Sequence, residues 1–291
     1  SAMYFCWGAH SRAEDLLAAV RSVAENKGIK RYAMSARLLQ VALWLRRGRI
    51  EPAEVGLNAA LAEAGSEAEE PFMHVAAQSL QARLWFVQGR PAEAYARVAA
   101  TWPDMRVIKV GMPTLLEVRY TLIDIVMSLL VERNLAARRA GLGLAEEMVH
   151  DLLALSRRIP YFEPRARLCL ARLQWLRGAP ADLRQALANL REALHLAQRF
   201  GMLYDEGLAH SYLGLIAAHA GGPYSAPISP SESGPVVPPW RPQILGGKVH
   251  WPPAQSHLQL ARDLLHGIAS PHEQGRLSSA LAFLSRRGRG S

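Results

Sequence analysis

A seven-residue phrase that recurs 41 residues later constrains the fold of this chain more than any other feature. Residues 43–49 read LWLRRGR and residues 84–90 read LWFVQGR. In each copy a tryptophan stands four residues before a glycine, Gly48 or Gly89, and an alanine follows five residues after that glycine. A fixed period of this length is typical of stacked helical hairpins, in which each repeat buries its apolar face against its neighbours. The sequence therefore predicts an all-α chain built from antiparallel helical hairpins.

Apolar residues recur at the spacing of one helical face in twelve segments. The predicted helices span residues 13–25, 31–46, 52–64, 73–88, 91–100, 113–133, 135–158, 163–178, 182–200, 204–220, 254–268 and 273–284. Gly28, Gly48, Gly89 and Gly201 are predicted to end helices, because glycine readily adopts the left-handed backbone conformation found there. The predicted helix 91–100 ends before Trp102-Pro103-Asp104, after which the repeat pattern loosens.

Changes in composition divide the chain into five parts. Residues 1–12 precede the first predicted helix, and their start, Ser1-Ala2-Met3, resembles the residues that remain after protease cleavage. The helical array occupies 13–221, two closing helices occupy 254–285, and an Arg/Gly tail occupies 286–291. Between the array and the closing helices, the segment 222–253 contains nine prolines and is predicted to be an irregular or disordered insert.

Charge and cysteine content limit the possible partners and compartments. The 34 lysines and arginines against 25 acidic residues give a net charge of +9, which favours acidic partners. Two cysteines, Cys6 and Cys169, are too few for a disulfide framework, so a reducing cytoplasmic location is expected. The most apolar helix carries Glu117, Arg119 and Asp124, which indicates a buried helix and no membrane span.

These features resemble the tetratricopeptide-repeat family. Leu213-Gly214 followed by Gly221 reproduces the family's Leu-Gly-to-turn spacing, and Trp44 and Trp85 occupy its aromatic position. The small residues that the family needs at helix crossings are Ala53, Ala60, Ala82, Ala94 and Gly214. The match covers about two-thirds of the chain and weakens over residues 105–158. It implies a right-handed superhelix, or α-solenoid, of helical hairpins.

The Arg- and Ala-rich character of the repeats, as in residues 193–201, is similar to the C-terminal repeat regions of large bacterial signalling proteins. These include the maltose-activator class of LuxR-type regulators and multidomain ATPase and cyclase regulators. In such proteins the array is a sensor or a docking arm. The resemblance therefore implies a non-catalytic interaction, scaffold or regulatory module.

The family binds partners on its concave face, so the repeat register indicates which residues here would contact a partner. The candidates are Leu38, Ala42, Arg46, Ser79, Arg83, Phe86, Arg165, Arg172, Ser211 and His219. This mixed apolar and arginine lining favours a peptide or an amphipathic, acidic helix of a protein partner. Trp240 and Trp251, inside the insert, are interpreted either as exposed anchors for a partner or as staples that hold the insert to the array.

No catalytic, cofactor or metal site is predicted. Gly246-Gly247-Lys248 lacks the other residues of a phosphate loop, and Gly141-Leu142-Gly143 lacks the third glycine of a dinucleotide motif. Glu206 and His210 share a helical face but supply only two ligands, which favours an ion pair or a helix-terminal carboxylate. The histidines near the insert have no fixed spacing and are interpreted as loop and surface residues; they are His250, His257, His266 and His272.

Two alternative functions remain open at this point. The net charge and the tail residues Arg286, Arg287 and Arg289 suit a nucleic-acid-associated protein, whose binding would weaken steeply with salt. A small-molecule-sensing regulatory domain is the other alternative, and a metabolite that binds it would raise its thermal stability.

Overall fold

A computed structural model gives the fold of the chain. It describes residues 10–63, 71–108, 113–131, 138–220, 225–227, 243–245, 248–250, 254–266, 268 and 271–287. The described residues form twelve α-helices in chain order: α1 His10–Asn26, α2 Lys30–Arg46, α3 Ile50–Glu63, α4 Pro71–Val87, α5 Pro91–Val107, α6 Pro113–Val131, α7 Arg138–Ser156, α8 Glu163–Arg177, α9 Pro180–Phe200, α10 Leu203–Ala220, α11 Ala254–Leu265 and α12 Pro271–Arg287. The prediction of an all-α chain is confirmed, and each predicted helix overlaps an observed one, although some ends differ.

Three short strands lie between α10 and α11, inside the segment that was predicted to be irregular. They are β1 Ser225–Pro227, β2 Gln243–Leu245 and β3 Lys248–His250, and β3 pairs antiparallel with both of the others. In the register of this pairing Leu245 lies opposite Lys248, and Ile244 lies opposite Val249. Within the described part of the chain, no helix combines the length and the apolar character that crossing a bilayer requires.

Helices pack against their immediate neighbours in the chain and, in one layer, against alternate helices. An unbroken series of such contacts links α2, α4, α6, α8 and α10, which we name the inner helices; α12 also contacts α10. They are buried on more than one side: α2 buries ten residues, whereas the following α3 buries three. A helix with a single apolar stripe suits the outside of such an assembly, and a helix that is buried on several sides suits its interior.

Glycines end the helices where the sequence predicted turns. Gly48, Gly89 and Gly178 follow α2, α4 and α8, with φ angles of 70°, 75° and 77°. Residues with a Cβ atom rarely adopt this left-handed conformation, so glycine is the favoured residue at each turn. Gly201 closes α9 in the same way, and the Met202 amide donates to the Ala197 carbonyl at 2.8 Å.

The predicted end of the helix 91–100 is wrong, because α5 continues through Pro103 to Val107. Two buried side chains, Trp102 and Met105, hold the last turn of the helix in the core. Arg119 of α6 also donates to the carbonyl oxygens of Met105 and Ile108, at 3.0 and 2.8 Å. Tertiary contacts therefore offset the backbone hydrogen bond that proline removes.

Small residues lie where helices approach most closely. The alanines predicted for helix crossings, Ala53, Ala60, Ala82 and Ala94, are all buried in the core. A Cβ atom placed on Gly214 of α10 would lie 2.6 Å from Cγ of Leu258 in α11. Trp44, Trp85 and Trp175 are partly buried and contact the core from its edge.

Candidate functional site

The inner helices bring four widely separated arginines to one surface, where each meets a carboxylate. Glu117 of α6 accepts from Nη2 of Arg46 in α2 at 2.9 Å and from Nη1 of Arg165 in α8 at 2.8 Å. Arg165 also donates from Nε to Asp205 of α10. This cluster therefore joins four of the five inner helices through buried, charge-assisted hydrogen bonds.

A second cluster lies beside the first and is centred on Asp124 of α6. Its carboxylate accepts from Nη1 of Arg83 in α4 at 2.7 Å and from Nη1 of Arg172 in α8 at 2.6 Å. Burial opposes ionisation of Asp124, but the charges of Arg172 and Arg83 outweigh that effect and lower the pKa of this carboxyl group. The carboxylate is therefore ionised at neutral pH.

Spacing along the helices explains why the two clusters lie side by side. Glu117 and Asp124 are seven residues apart on α6, and Arg165 and Arg172 are seven residues apart on α8. Seven residues make about two turns, so each pair lies on one face of its helix. The two acids on α6 and the two arginines on α8 are therefore equally spaced along their helices and can pair one to one. We name the surface formed by both clusters the inner face; its charged residues are Arg46, Arg83, Glu117, Asp124, Arg165, Arg172 and Asp205.

Tyrosine rings of the hydrophobic core lie against arginines of both clusters. The guanidinium carbon of Arg46 lies 4.3 Å from the ring centre of Tyr204, and that of Arg165 lies 4.4 Å from the ring centre of Tyr120. Arg172 stands 5.0 Å from the ring of Tyr212. Such contacts stabilise a cation where water is excluded. The inner face thus offers arginine and tyrosine, two residue types that are enriched at the energetic centres of protein interfaces.

A cavity of about 30 Å³ opens at the inner face between α2, α4 and α6. Its lining includes Ala42, Arg83 and Thr121. A volume of this size holds a water molecule, whereas pockets for metabolites usually exceed about 300 Å³.

The last helix, α12, lies against the inner face and reaches back to the first hairpin. Glu273 forms a hydrogen bond with the hydroxyl group of Tyr204, and Leu277 is buried in the core. Pro271 packs against Gly48 at the end of α2 so closely that a Cβ atom on this glycine would lie 2.5 Å from its Cγ. The sequence predicted α12 as a helix but did not predict this contact.

The predicted partner-binding residues are brought together in part. The four arginines Arg46, Arg83, Arg165 and Arg172 form the inner face, and Ala42 lines its cavity. Leu38, Ser79, Phe86 and Ser211 are buried, as are Arg46, Arg165 and Arg172, but the first four residues take no part in the ion pairs of the two charged clusters. The side chain of His219, and Trp240 and Trp251 altogether, lie outside the described residues.

Sequence reasoning missed the carboxylates and tyrosines that complete the site. Glu117 and Asp124 were noted only as charges that argue against a membrane span, and Tyr120 and Tyr204 were not singled out. The repeated seven-residue spacing on α6 and α8 was the available signal. It could have indicated two matching charged faces, although not which helices would meet.

A buried histidine pair corrects the interpretation of His257 as a surface residue. Nδ1 of His257 lies 2.8 Å from Nδ1 of His210, and both side chains are buried. Burial, together with the nearby His257, lowers the pKa of His210 to about 3, and burial together with Arg191 lowers that of His257 to about 4. Both rings are therefore neutral at pH 7, and His266 is exposed.

The motifs considered for cofactors and metals lie elsewhere. Gly141 and Gly143 are inside α7, and Glu206 accepts a hydrogen bond from the Gln198 side chain at 3.1 Å. Among the residues described here, no three His, Cys, Asp or Glu side chains are grouped so as to hold a metal ion. The buried thiol of Cys169 has its pKa raised to about 12 by burial.

Comparison with known proteins adds no relative to this description. No protein-family model, no curated protein and no solved structure matches the chain.

Proposed function

We propose that this chain is a non-catalytic protein-interaction or regulatory module that binds a peptide or helix of a partner protein on its inner face. In this proposal the helical hairpins form a right-handed, tetratricopeptide-like superhelix, and the inner helices line its concave side. The contacts between alternate helices and the left-handed turn glycines support that arrangement. A sensor or scaffold role follows from the resemblance to the repeat regions of bacterial signalling proteins.

One observation carries the proposal: arginines and tyrosines from separate helices converge on one surface. Arg46, Arg83, Arg165 and Arg172 reach the same face as Tyr120 and Tyr204. Side chains that are already fixed by neighbours lose little conformational entropy when they bind, so such a surface is prepared for a ligand.

The charge arrangement favours a protein partner over a nucleic acid. Each of the four arginines donates to a carboxylate of the same surface, so their charges are largely balanced locally. Phosphate backbones are instead bound by rows of cations whose charge faces the solvent. The small cavity at this face likewise favours a macromolecular ligand over a metabolite.

A site-specific photo-crosslinker tests the proposal. A crosslinking amino acid replaces Thr121, which lines the cavity, and a matched variant carries it at Val55, which is 71% exposed on α3. Both variants are checked for folding by circular dichroism and irradiated in lysate with and without nuclease, at low and at high salt. The expected result is a discrete protein adduct from position 121 and none from position 55.

Three other outcomes would contradict the proposal. Adducts of equal yield at both positions would indicate non-specific contact, and no adduct at position 121 would remove the inner face as the binding surface. An adduct that disappears with nuclease or high salt would instead favour the nucleic-acid-associated alternative.

A further inference from the structure

The inner face is partly covered by α12, the last helix of the chain that the structure describes. Glu273 of α12 bonds to the hydroxyl of Tyr204, and its carboxylate is close enough to interact electrostatically with Arg46 and Arg83. Four residues later, Leu277 is 3% exposed and belongs to the core. These two side chains share one face of the helix, since residues four apart are neighbours on a helical surface.

A third residue of α12 completes the contact. Arg276 places its guanidinium carbon 5.6 Å from the ring centre of Tyr212, and its charge acts on Asp124. Glu273 therefore faces arginines of the inner face. Arg276 instead faces the ring of Tyr212 and the carboxylate of Asp124. This is charge complementarity of the kind that selects a partner and fixes its orientation.

Over the side chains that the structure describes, α12 buries fewer residues than the inner helix α2. Among the described side chains of α12, Leu277 is buried and Ala280 and Leu281 pack against the core while partly exposed, whereas α2 buries ten residues. Helices with few buried contacts belong to the parts of a protein that open most easily. A helix that is tethered to the same chain nevertheless competes strongly, because its effective concentration is in the millimolar range.

We infer that α12 is a resident ligand of the inner face, and that the partner is an amphipathic helix that carries an acidic residue, a basic residue three positions later and a leucine four positions later. This inference rests on the proposed function and adds to it the class of partner and the means of regulation. A partner helix with this pattern displaces α12 and takes over its contacts with Tyr204, Tyr212 and the core.

A reversible disulfide tests the inference in the full chain. A Cβ atom built on Gly48 lies 3.9 Å from Cβ of Pro271, within the range that a disulfide requires. Gly48→Cys with Pro271→Cys therefore locks α12 in place when oxidised and releases it when reduced. Cys6→Ser removes a competing thiol, and the native Cys169 is buried. Backbone strain at Gly48 is common to both redox forms and cancels in their comparison.

The probe is a fluorescent peptide with the sequence of residues 271–287, measured by anisotropy. The reduced variant is expected to bind it at least about tenfold more tightly than the oxidised variant, because the staple keeps the tethered helix at the site. A peptide with Glu273→Gln is expected to bind about tenfold more weakly, since it loses a charged hydrogen-bond partner. A full chain with Glu273→Gln is expected to bind the unaltered peptide more tightly than the parent protein does.

Several results would overturn the inference. They are failure of the staple to form in oxidant, equal binding by the oxidised and reduced forms, and the absence of binding both by the reduced form and by the Glu273→Gln chain. Crosslinking at position 121 separates this inference from the proposed function. A partner that crosslinks equally with the staple open or closed leaves the proposed function standing and removes the resident-ligand inference, whereas loss of crosslinking in both forms removes the proposed function.

Discussion

Nδ1 of His210 lies 2.8 Å from Nδ1 of His257 across the buried contact between α10 and α11. One ring must donate the shared proton and the other must accept it, so the contact requires at least one neutral imidazole. The two residues are 47 positions apart and lie on either side of the insert. The pair therefore joins the two helices that the insert separates in sequence.

Acid is expected to destabilise the protein through this pair. The pKa values of His210 and His257 are lowered to about 3 and about 4, so below pH 6.5 the unfolded chain binds protons that the folded chain does not. The part of the free energy of unfolding that depends on these neutral histidines is fully present above pH 6.5 and is lost as the pH falls towards 3. At pH 5 each histidine lowers the free energy of unfolding by at most about 2 kcal/mol. Urea unfolding across this pH range measures the loss.

The matched variants for this prediction are His257→Leu and His266→Gln. His257→Leu removes one of the buried titrating groups and is expected to flatten the dependence of stability on pH, whereas the exposed His266 lies outside the pair. An unchanged pH slope in His257→Leu would rule out the pair as the source of acid sensitivity.

Asp124→Asn is expected to destabilise the fold severely. This substitution removes the one carboxylate that Arg83 and Arg172 share, and both guanidinium groups then remain buried beside a neutral amide. Breaking a buried ion pair from one side costs about 3–5 kcal/mol. Urea denaturation measures the loss. Glu147→Gln, which breaks the exposed pair with Arg106, is the control and should cost less than about 1 kcal/mol. Similar losses in both variants would refute the energetic role of the buried cluster.

Two glycine-to-alanine substitutions are expected to act in opposite directions. Gly214→Ala forces a methyl group to within 2.6 Å of Leu258, and such overpacking costs about 1–3 kcal/mol. Gly143→Ala in α7 meets no atom within 4 Å and should stabilise the helix by about 0.5–1 kcal/mol. Thermal unfolding should thus give a lower melting temperature for the first variant and a higher one for the second. An unchanged or higher melting temperature for Gly214→Ala would contradict the close α10–α11 packing.

Arg119→Met is expected to cost about 3 kcal/mol, because it removes the cation that pairs with Asp151 and takes one hydrogen-bond donor from each of two carbonyl oxygens. Arg119 binds Asp151 at 2.8 Å and also the carbonyl oxygens of Met105 and Ile108 at the end of α5. Hydrogen exchange should show faster opening of the last turn of α5, after Pro103. Unaltered exchange there would mean that Arg119 does not hold this turn.

Helix positions and turns followed from the sequence because their causes are local. The 3.6-residue period of apolar side chains and the glycines at left-handed positions, such as Gly48 and Gly89, act over a few residues. The prediction ended α5 too early, before Pro103, whose local cost is offset by Arg119, a residue in the next helix. The four arginines of the inner face could also be named in advance from their register in the repeats.

The partners of those arginines depended on the tertiary structure alone. Asp124 is 41 residues from Arg83 and 48 from Arg172, and no spacing rule connects them. Their meeting requires the crossing angles of successive hairpins, which depend on how side chains interdigitate between helices. The contact of Pro271 with Gly48 has the same origin, because it depends on how the helices between these two residues pack. The sequence by itself thus determined the helices and the inner-face arginines, while the accumulated packing geometry decided what those arginines bind.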